Sequence, residues 1–405
     1  MIQGMISMKI KLGIFFGGKS VEHEIAIITA NQAYASIDKE KYEIVPIYIS
    51  KKGLLYTGEN LFDLNRYKNL DKLIAECTQV TIVNDGEKIN VVRYPMKKFG
   101  ENIINTIDVA FPIMHGTNGE DGTIQGYLEL LGVPYIGPDI VASSIGMDKI
   151  IMKKVLKASN IPVVDFVSFY SLEYIKKEEE KLQEIEETLN YPVIVKPGNL
   201  GSSVGIKKAR NKEELISAIE NAMQFSDRIL VEKAITDLKE INCSVMGDQV
   251  NCMPSACEEP FSTDEILSYT DKYVGGNKKA GARTTGQKAM AAAKKKLPAE
   301  LSQEQKNEIE NLAMETFKAL GASGVARIDF LIDKQTQTVY VNEINTIPGA
   351  LSYYLWEAAG KTFKQEIDEL VDLALKRQRQ KEKNTYSYDQ NILALSGQKL
   401  GSKNK

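Results

Sequence analysis

Two short runs hold the residues best suited to chemistry: Arg327 and Asp329 in GVARIDFLI, and Glu343 and Asn345 in TVYVNEINTIPG. In each run the polar residues alternate with apolar neighbours, so each pair projects from one face of a strand. A hairpin turn centred on Thr336 sets Asp329 against Glu343 and Arg327 against Asn345. Directly opposed carboxylates destabilise a sheet unless something lies between them. An all-oxygen set of Asp, Glu and Asn suits magnesium, which keeps several waters and bridges substrate phosphates. The expectation is a magnesium-nucleotide site. The alternatives are that one carboxylate pairs with a lysine, or that another register keeps the two acids apart.

A second stretch, KPGNLGSSVGI over 196–206, follows the apolar run Tyr191–Val195. Its glycines let backbone approach an anion closely, while Lys196, Ser202 and Ser203 add charge and donors. It is no Walker loop, since GxxxxGK[ST] is absent and the serines lead into the apolar Val204 and Ile206. The residues alone allow an ordinary turn between strands or a hairpin lid over phosphate.

These groups need scaffolds to position them. The first segment alternates LGIFF, a helix over 22–37, EIVPIYI, IDVAFPI, a helix over 122–131 and VPYIG, which reads as a parallel α/β layer ending near Gly137. Ligands in such layers lie beyond the carboxyl ends of strands, so Gly17 and Gly18 should share a crevice with His115 and Gly116. A helix over 143–159 leads to a small α+β unit with strands near Val163, Tyr191, Val204 and Ile229. KEINCSVMG and QVNCMPSACE then form a hairpin about Gly247 and Asp248. The expected divisions are 8–142, 143–237 and 238–380, with a polar tail over 381–405. The segment 277–298 is rich in Lys and Arg and free of acids, and reads as a solvated loop compatible with a basic lid over polyphosphate.

At 405 residues the chain exceeds what one core usually serves. Its 51 basic and 54 acidic residues give a net charge of −3, which argues against a partner bound by neutralising many phosphates. Four cysteines without a CxxC pair, together with two histidines, offer no zinc spacing and are expected as free thiols. The N-terminal apolar stretch is too short for a membrane span and lacks a cleavage pattern, so a soluble cytoplasmic protein is expected.

The motifs FGGKSVEHEI, HGTNGEDGTIQGYLELLGVPYIG, SSIGMDK, VIVKPGNLGSSVGI, LVEKAI, EILSYTDKY, ARIDF and NEINTIPG occur in the order seen in D-alanine–D-alanine ligases of the ATP-grasp superfamily. The chain resembles that family over about residues 13–363. The resemblance implies an ATP-grasp fold with an N-terminal parallel α/β domain, and ATP between the central and C-terminal domains. It implies that GNLGSSVG covers the ATP phosphates, that Lys149, Lys196 and Lys272 serve the nucleotide, and that Glu232 and Lys233 meet adenine. Glu240 resembles the ribose-binding acid, and Asp329, Glu343 and Asn345 resemble ligands of magnesium or manganese. Arg327 and the N–H of Gly349 resemble the oxyanion stabilisers. Glu22 resembles the acid that takes the first substrate's ammonium, with His115 beside it and Ser202 and Tyr273 as partners. Tyr273 in DKY resembles members that make the peptide rather than an ester with D-lactate.

One departure stands out: ALSYYLWEAAG puts Tyr354, followed by Leu355, where the family has a serine that holds the second substrate's carboxylate. A tyrosine donates from further away or selects another acceptor. A homodimer is also implied. The competing readings are an ATP-grasp ligase with a different acceptor, set apart by residues 351–356, and a nucleotide-binding regulator without turnover.

Overall fold

The computed structural model describes residues 9–201, 204–260 and 295–387. The first sheet has seven strands: β1 Ile10–Gly17, β2 Tyr42–Ile49, β3 Leu55–Thr57, β4 Thr78–Asn84, β5 Ile89–Arg93, β6 Ile103–Ile107 and β7 Val109–Ile113, in the order β6-β5-β4-β3-β2-β1-β7. β1 pairs in parallel with both β2 and β7, while every pairing from β2 through β6 is antiparallel. The sheet is therefore mixed rather than wholly parallel. The extra strands come from TQVTIVN and INVVR, short β-branched runs joined by a tight Asp-Gly turn that needs no crossover helix. β1 and β7 are neighbours in parallel, with Phe16 beside Ile113, so their carboxyl ends deliver Gly17–Gly18 and His115–Gly116 to one place.

The second sheet, β8 Phe166–Tyr170, β9 Val193–Pro197, β10 Lys207–Ala209 and β11 Arg228–Lys233, is antiparallel in the order β10-β9-β11-β8. β9 and β10 are partners, so the glycine-rich stretch between them is a hairpin connection. The strand expected at Val204 begins three residues later, at Lys207.

The third sheet contains β12 Leu238–Gly247, β13 Cys252–Pro260, β14 Lys295–Lys296, β15 Gly324–Asp333 and β16 Val339–Asn345, in the order β14-β13-β12-β15-β16. Along β15 the residues Ala326, Ile328, Phe330 and Ile332 are buried in a core shared with Ile309, Ala313 and Phe317 of the helix Gln303–Ala319. The period of two sends Arg327 and Asp329 to the opposite face. That helix opens with a capping box in which Ser302 and Gln305 each accept from the other's backbone N–H. The helix Phe363–Lys381 adds Ile367, Leu370 and Val371 to the core of the first sheet, tying the end of the chain to its beginning.

The helix expected over 143–159 is two, Ile140–Met147 and Lys149–Ala158, broken at Asp148. Asp148 caps the second by accepting from the N–H of Ile150 and of Ile151, and it pairs with Arg228. All four cysteines are free thiols, and Cys243 on β12 lies opposite Cys257 on β13. Among the described residues no helix is long and apolar enough to cross a membrane. The N-terminal residues 1–8, most of the basic loop and the tail beyond 387 lie outside the described residues.

Candidate active site

The β15–β16 hairpin has the expected register, with Arg327 opposite Asn345 and Asp329 opposite Glu343. Beyond that pair the sequence gives no warning of a bulge, yet the register shifts so that Phe330 meets Val341 and Asn342 is the extra residue. The bulge re-aims Asn342, whose Oδ1 accepts from Lys196 Nζ at 3.2 Å. Arg327 donates to Asp329 through Nε (2.7 Å) and Nη2 (2.8 Å), a bidentate pair, and Asn345 Nδ2 donates to the same carboxylate at 3.0 Å. Glu343 instead takes Lys149 Nζ at 3.0 Å, so one carboxylate does pair with a lysine while still facing the other acid. Burial opposes charge on Lys149, but Glu343 outweighs it and raises the ammonium above its ordinary range. Among the described residues no three His, Cys, Asp or Glu cluster as a metal cage, so a cation here would rest on two carboxylates, an amide oxygen and ligands from substrate. The donors are oxygens and suit a hard divalent ion.

Lys149 and Lys153 stand four residues apart on one face of the helix Lys149–Ala158. Lys153 is fully buried, with its Nζ 2.6 Å from Glu232 Oε1, and the other oxygen of Glu232 takes Lys196 Nζ at 2.5 Å. Burial works to raise the Glu232 pKa, but Lys153 and Lys196 prevail and hold it down at about 2. Two ammonium groups on one carboxylate leave positive charge in excess, a setting that favours an incoming anion. Lys153 was not singled out from sequence, although its i, i+4 spacing from Lys149 amid Ile and Met was the available signal.

The N-terminal sheet supplies the other wall. Glu22 is buried and stands at the start of the helix His23–Ser36, but its side chain makes no capping bond. Its carboxylate lies against two glycines: a Cβ at Gly116 would come within 2.5 Å of Oε2, and one at Gly201 within 3.3 Å. Glu22 thus reaches the residue that precedes Ser202. His115 has both ring nitrogens engaged, Nδ1 with Ile347 O at 2.8 Å and Nε2 with Thr29 Oγ1 at 3.0 Å. Burial lowers its pKa to about 4, so it is neutral near pH 7. Glu120 accepts from the N–H of Gly116 (2.8 Å) and of Ile347 (3.0 Å), and burial followed by the charge of Glu22 raises its pKa to about 7. Just beyond Gly349 the chain makes a left-handed turn, with Ala350, Leu351 and Ser352 at φ of 51°, 54° and 57°. Each such residue costs roughly 1–2 kcal/mol, so the surroundings must enforce the turn.

A cleft lined by Glu120, Met147, Lys149, Gly201, Glu343 and Asn345 joins these walls. Comparison with known proteins identifies the assembly. Residues 11–138 match the family model described as D-ala D-ala ligase N-terminus, and residues 155–372 match D-ala D-ala ligase C-terminus. The chain belongs to the D-alanine–D-alanine ligase family. It is 42% identical over 386 residues to D-alanine–D-alanine ligase of Thermosipho melanesiensis, spanning 95% of this chain and 99% of that protein. Its fold matches the D-alanine–D-alanine ligase of Coxiella burnetii with a TM-score of 0.75 at 28% identity, covering 96% of this chain and 98% of that one. The VanG D-Ala:D-Ser ligase of Enterococcus faecalis gives a TM-score of 0.74 at 29% identity, with 91% and 100% covered. The Bacillus anthracis ligase complexed with ATP gives 0.62 at 27%, with 92% and 99% covered.

Set beside this ligase family, the remaining residues sort by position. Lys233 is exposed at the end of β11, whereas the Glu232 carboxylate is turned inward to its two lysines. Glu240 lies on β12 opposite Leu331. Tyr354 is half-buried, and its hydroxyl donates to Glu258 Oε1 at 2.7 Å. Burial, then Glu258, pushes its pKa well up, so it stays a phenol. Glu258 also accepts from Asn242 Nδ2 (3.0 Å) and pairs with Lys295 (3.4 Å), whose ammonium sits 3.3 Å from the centre of the Tyr354 ring. Sequence reasoning missed Glu258, the last residue of QVNCMPSACE, because its partners Tyr354 and Lys295 lie far from it in the chain. Leu355 is buried beside Tyr354 in the core. Ser202, Ser203, Lys272 and Tyr273 lie outside the described residues.

Proposed function

We propose that this chain joins two D-alanines into D-alanyl-D-alanine at the expense of ATP, in the cytoplasm and as a homodimer, supplying a dipeptide for peptidoglycan. The family is ATP-dependent, and the observation that supports this reading most directly is the cleft lined by Lys149, Glu343, Asn345 and Gly201, in which Lys149 pairs with Glu343, Glu343 stands opposite the Arg327–Asp329 pair, and Glu22 lies against Gly201.

A carboxylate oxygen is a poor leaving group, so the first D-alanine's carboxylate takes the γ-phosphoryl of ATP, releasing ADP and leaving an acyl phosphate. Such transfers need positioning and charge neutralisation more than covalent help. Lys149 and Lys196 supply cations, and Glu343 keeps Lys149 charged until phosphates arrive. Magnesium or manganese held by Asp329, Glu343 and Asn345 would neutralise phosphate charge. Glu22 holds the first substrate's ammonium, with Ser202 and Tyr273 ordering the loops above it. Lys272 and Ser203 serve the nucleotide, Lys233 and the backbone at Glu232 meet adenine, and Glu240 meets ribose. The second amine then attacks the acyl carbon, the oxyanion rests on Arg327 and the Gly349 N–H, and collapse expels phosphate. His115, Tyr354 and Leu355 line the amino-acid pockets.

The test is phosphate release with magnesium-ATP and D-alanine, with the product identified by mass. The expected product is D-alanyl-D-alanine. Release only with another D-amino acid as acceptor would move the specificity to Tyr354 and its neighbours. ATP binding with no release for any substrate would favour the regulator.

A further inference from the structure

The loop that carries Gly349 belongs to the C-terminal sheet, yet the groups that hold it come from the N-terminal unit. Ile347 is gripped at both ends of its peptide: its N–H donates to Glu120 Oε1 at 3.0 Å, and its carbonyl accepts from His115 Nδ1 at 2.8 Å. Three residues on, the N–H of Ala350 donates to Thr29 Oγ1 at 3.3 Å. Gly349 lies between the two grips.

The protons in this cluster have one consistent arrangement. A carbonyl only accepts, so His115 Nδ1 carries the proton toward Ile347. The neutral ring then has Nε2 as an acceptor, and Thr29 must donate to it. The Thr29 oxygen is left to accept from Ala350, giving a directed chain from the Ala350 N–H through Thr29 to His115 and back to Ile347 O. Glu120 uses its second oxygen on the N–H of Gly116, beside His115, and Thr346 Oγ1 donates to the Glu120 carbonyl at 3.5 Å. Thr29 and His115 are buried, and the loop's own apolar residues Ile347 and Leu351 pack into the core of the first sheet. The left-handed turn at Ala350–Ser352 begins where the Thr29 bond is made.

We infer that Thr29, His115 and Glu120 form a clamp that fixes the orientation of the Gly349 N–H, so that Thr29 and Glu120 are positioning residues for the acyl-transfer step. This rests on the reading of Gly349 as an oxyanion donor. Thr29 is fully buried, and both oxygens of Glu120 are taken up by backbone N–H groups. Both act by holding a backbone amide in a conformation that an unrestrained loop would leave.

The experiment uses the full chain with Thr29→Val, Thr29→Ser and Glu120→Gln. Valine matches threonine in shape but neither accepts nor donates, serine keeps both bonds, and glutamine replaces one accepting oxygen by an N–H that opposes a backbone donor. The expected result is a kcat for D-alanine-dependent phosphate release about 10–100-fold lower in T29V and E120Q, with the KM for ATP within about twofold of the parent. Binding of a dipeptide phosphinate, which mimics the tetrahedral intermediate, should weaken by a similar factor. Serine at position 29 should restore most of the rate. A kcat for both T29V and E120Q close to the parent would overturn the clamp. A lowered kcat with undiminished phosphinate binding would overturn the oxyanion role of Gly349 instead, so the two failures are distinguishable. If T29V does not fold, E120Q carries the same comparison.

Discussion

Asp329 and Glu343 stand opposite each other on neighbouring strands, yet each carboxylate is turned to its own cation, Asp329 to Arg327 and Glu343 to Lys149. The repulsion expected of two facing acids is thus relieved by groups the chain itself supplies. The same pairs keep Lys149 and Arg327 charged in a buried cleft. On the proposed function, a nucleotide arriving with a divalent ion would offer both sides new partners, and the cleft would exchange internal ion pairs for substrate ones with little change in net charge.

Replacing Glu343 by Gln tests that exchange. The substitution keeps the shape but removes the charge that the proposed function assigns to the metal, so kcat should fall by about 100-fold or more while the far-UV spectrum is retained. Turnover near the parent's, with the same magnesium dependence, would remove Glu343 from the metal set. Chelation of divalent ions in the unaltered protein should abolish phosphate release, and magnesium should restore it.

Glu232 makes a prediction about stability instead. Its carboxylate is buried between Lys153 and Lys196, and Lys153 is fully enclosed. Breaking a buried pair by removing one partner typically costs about 3–5 kcal/mol, because the surviving charge has nowhere to go. Glu232→Gln should approach that cost in urea unfolding, whereas Lys153→Met, which leaves Lys196 on Glu232, should cost less. The reverse order would mean that Lys153 is the group the site was built around.

How much of this was legible in the sequence follows from the range of each interaction. The facing acids could be placed because strand alternation and one short turn set their register, and both are local. The clustering of Gly17 with His115 followed from two parallel strand ends. The antiparallel extension of the first sheet and the break at Asp148 carry local signals, an Asp-Gly turn and a capping aspartate, but the bulge at Asn342 was not legible, since its partner Lys196 lies far away in the chain. Glu120, Thr29, Lys153 and Glu258 went unremarked for a related reason. They contact groups remote in sequence, and no spacing rule links residue 29 to residue 350.

The clamp also predicts opposing responses to acid. His115 has its folded pKa depressed to about 4 from an ordinary 6.5, so its contribution is present above pH 6.5 and is lost as pH falls toward 4. That shift corresponds to about 3 kcal/mol as an order of magnitude. Glu120 is raised to about 7 from 4.5, so its contribution is present below pH 4.5 and is lost as pH rises through 7. It should be the smaller of the two, because Glu120 keeps part of its surface in water. Between pH 7 and 5, unfolding free energies should therefore drop more steeply for E120Q than for the parent, and less steeply for His115→Gln. Parallel curves for all three proteins would mean that neither group titrates as its surroundings dictate.

Tyr354 bears on which acceptor the site takes. Its hydroxyl is committed to Glu258, and its ring lies under the Lys295 ammonium, so the side chain is a fixed wall rather than a free donor. Removing the hydroxyl in Tyr354→Phe leaves that wall standing and leaves Glu258 with Asn242 and Lys295, so acceptor kinetics should change by less than about tenfold. Shortening to Tyr354→Ser opens the wall and frees Glu258 and Lys295 to face the pocket. It should raise the KM for the second D-alanine by more than about tenfold and let in bulkier D-amino acids, with the KM for ATP unchanged. A panel of acceptors assayed by mass distinguishes the cases. If phenylalanine proves as damaging as serine, the hydroxyl itself contacts the acceptor and must leave Glu258 when substrate binds. If serine changes nothing, the acceptor lies elsewhere and the match of Tyr354 to the family's serine is a coincidence of alignment.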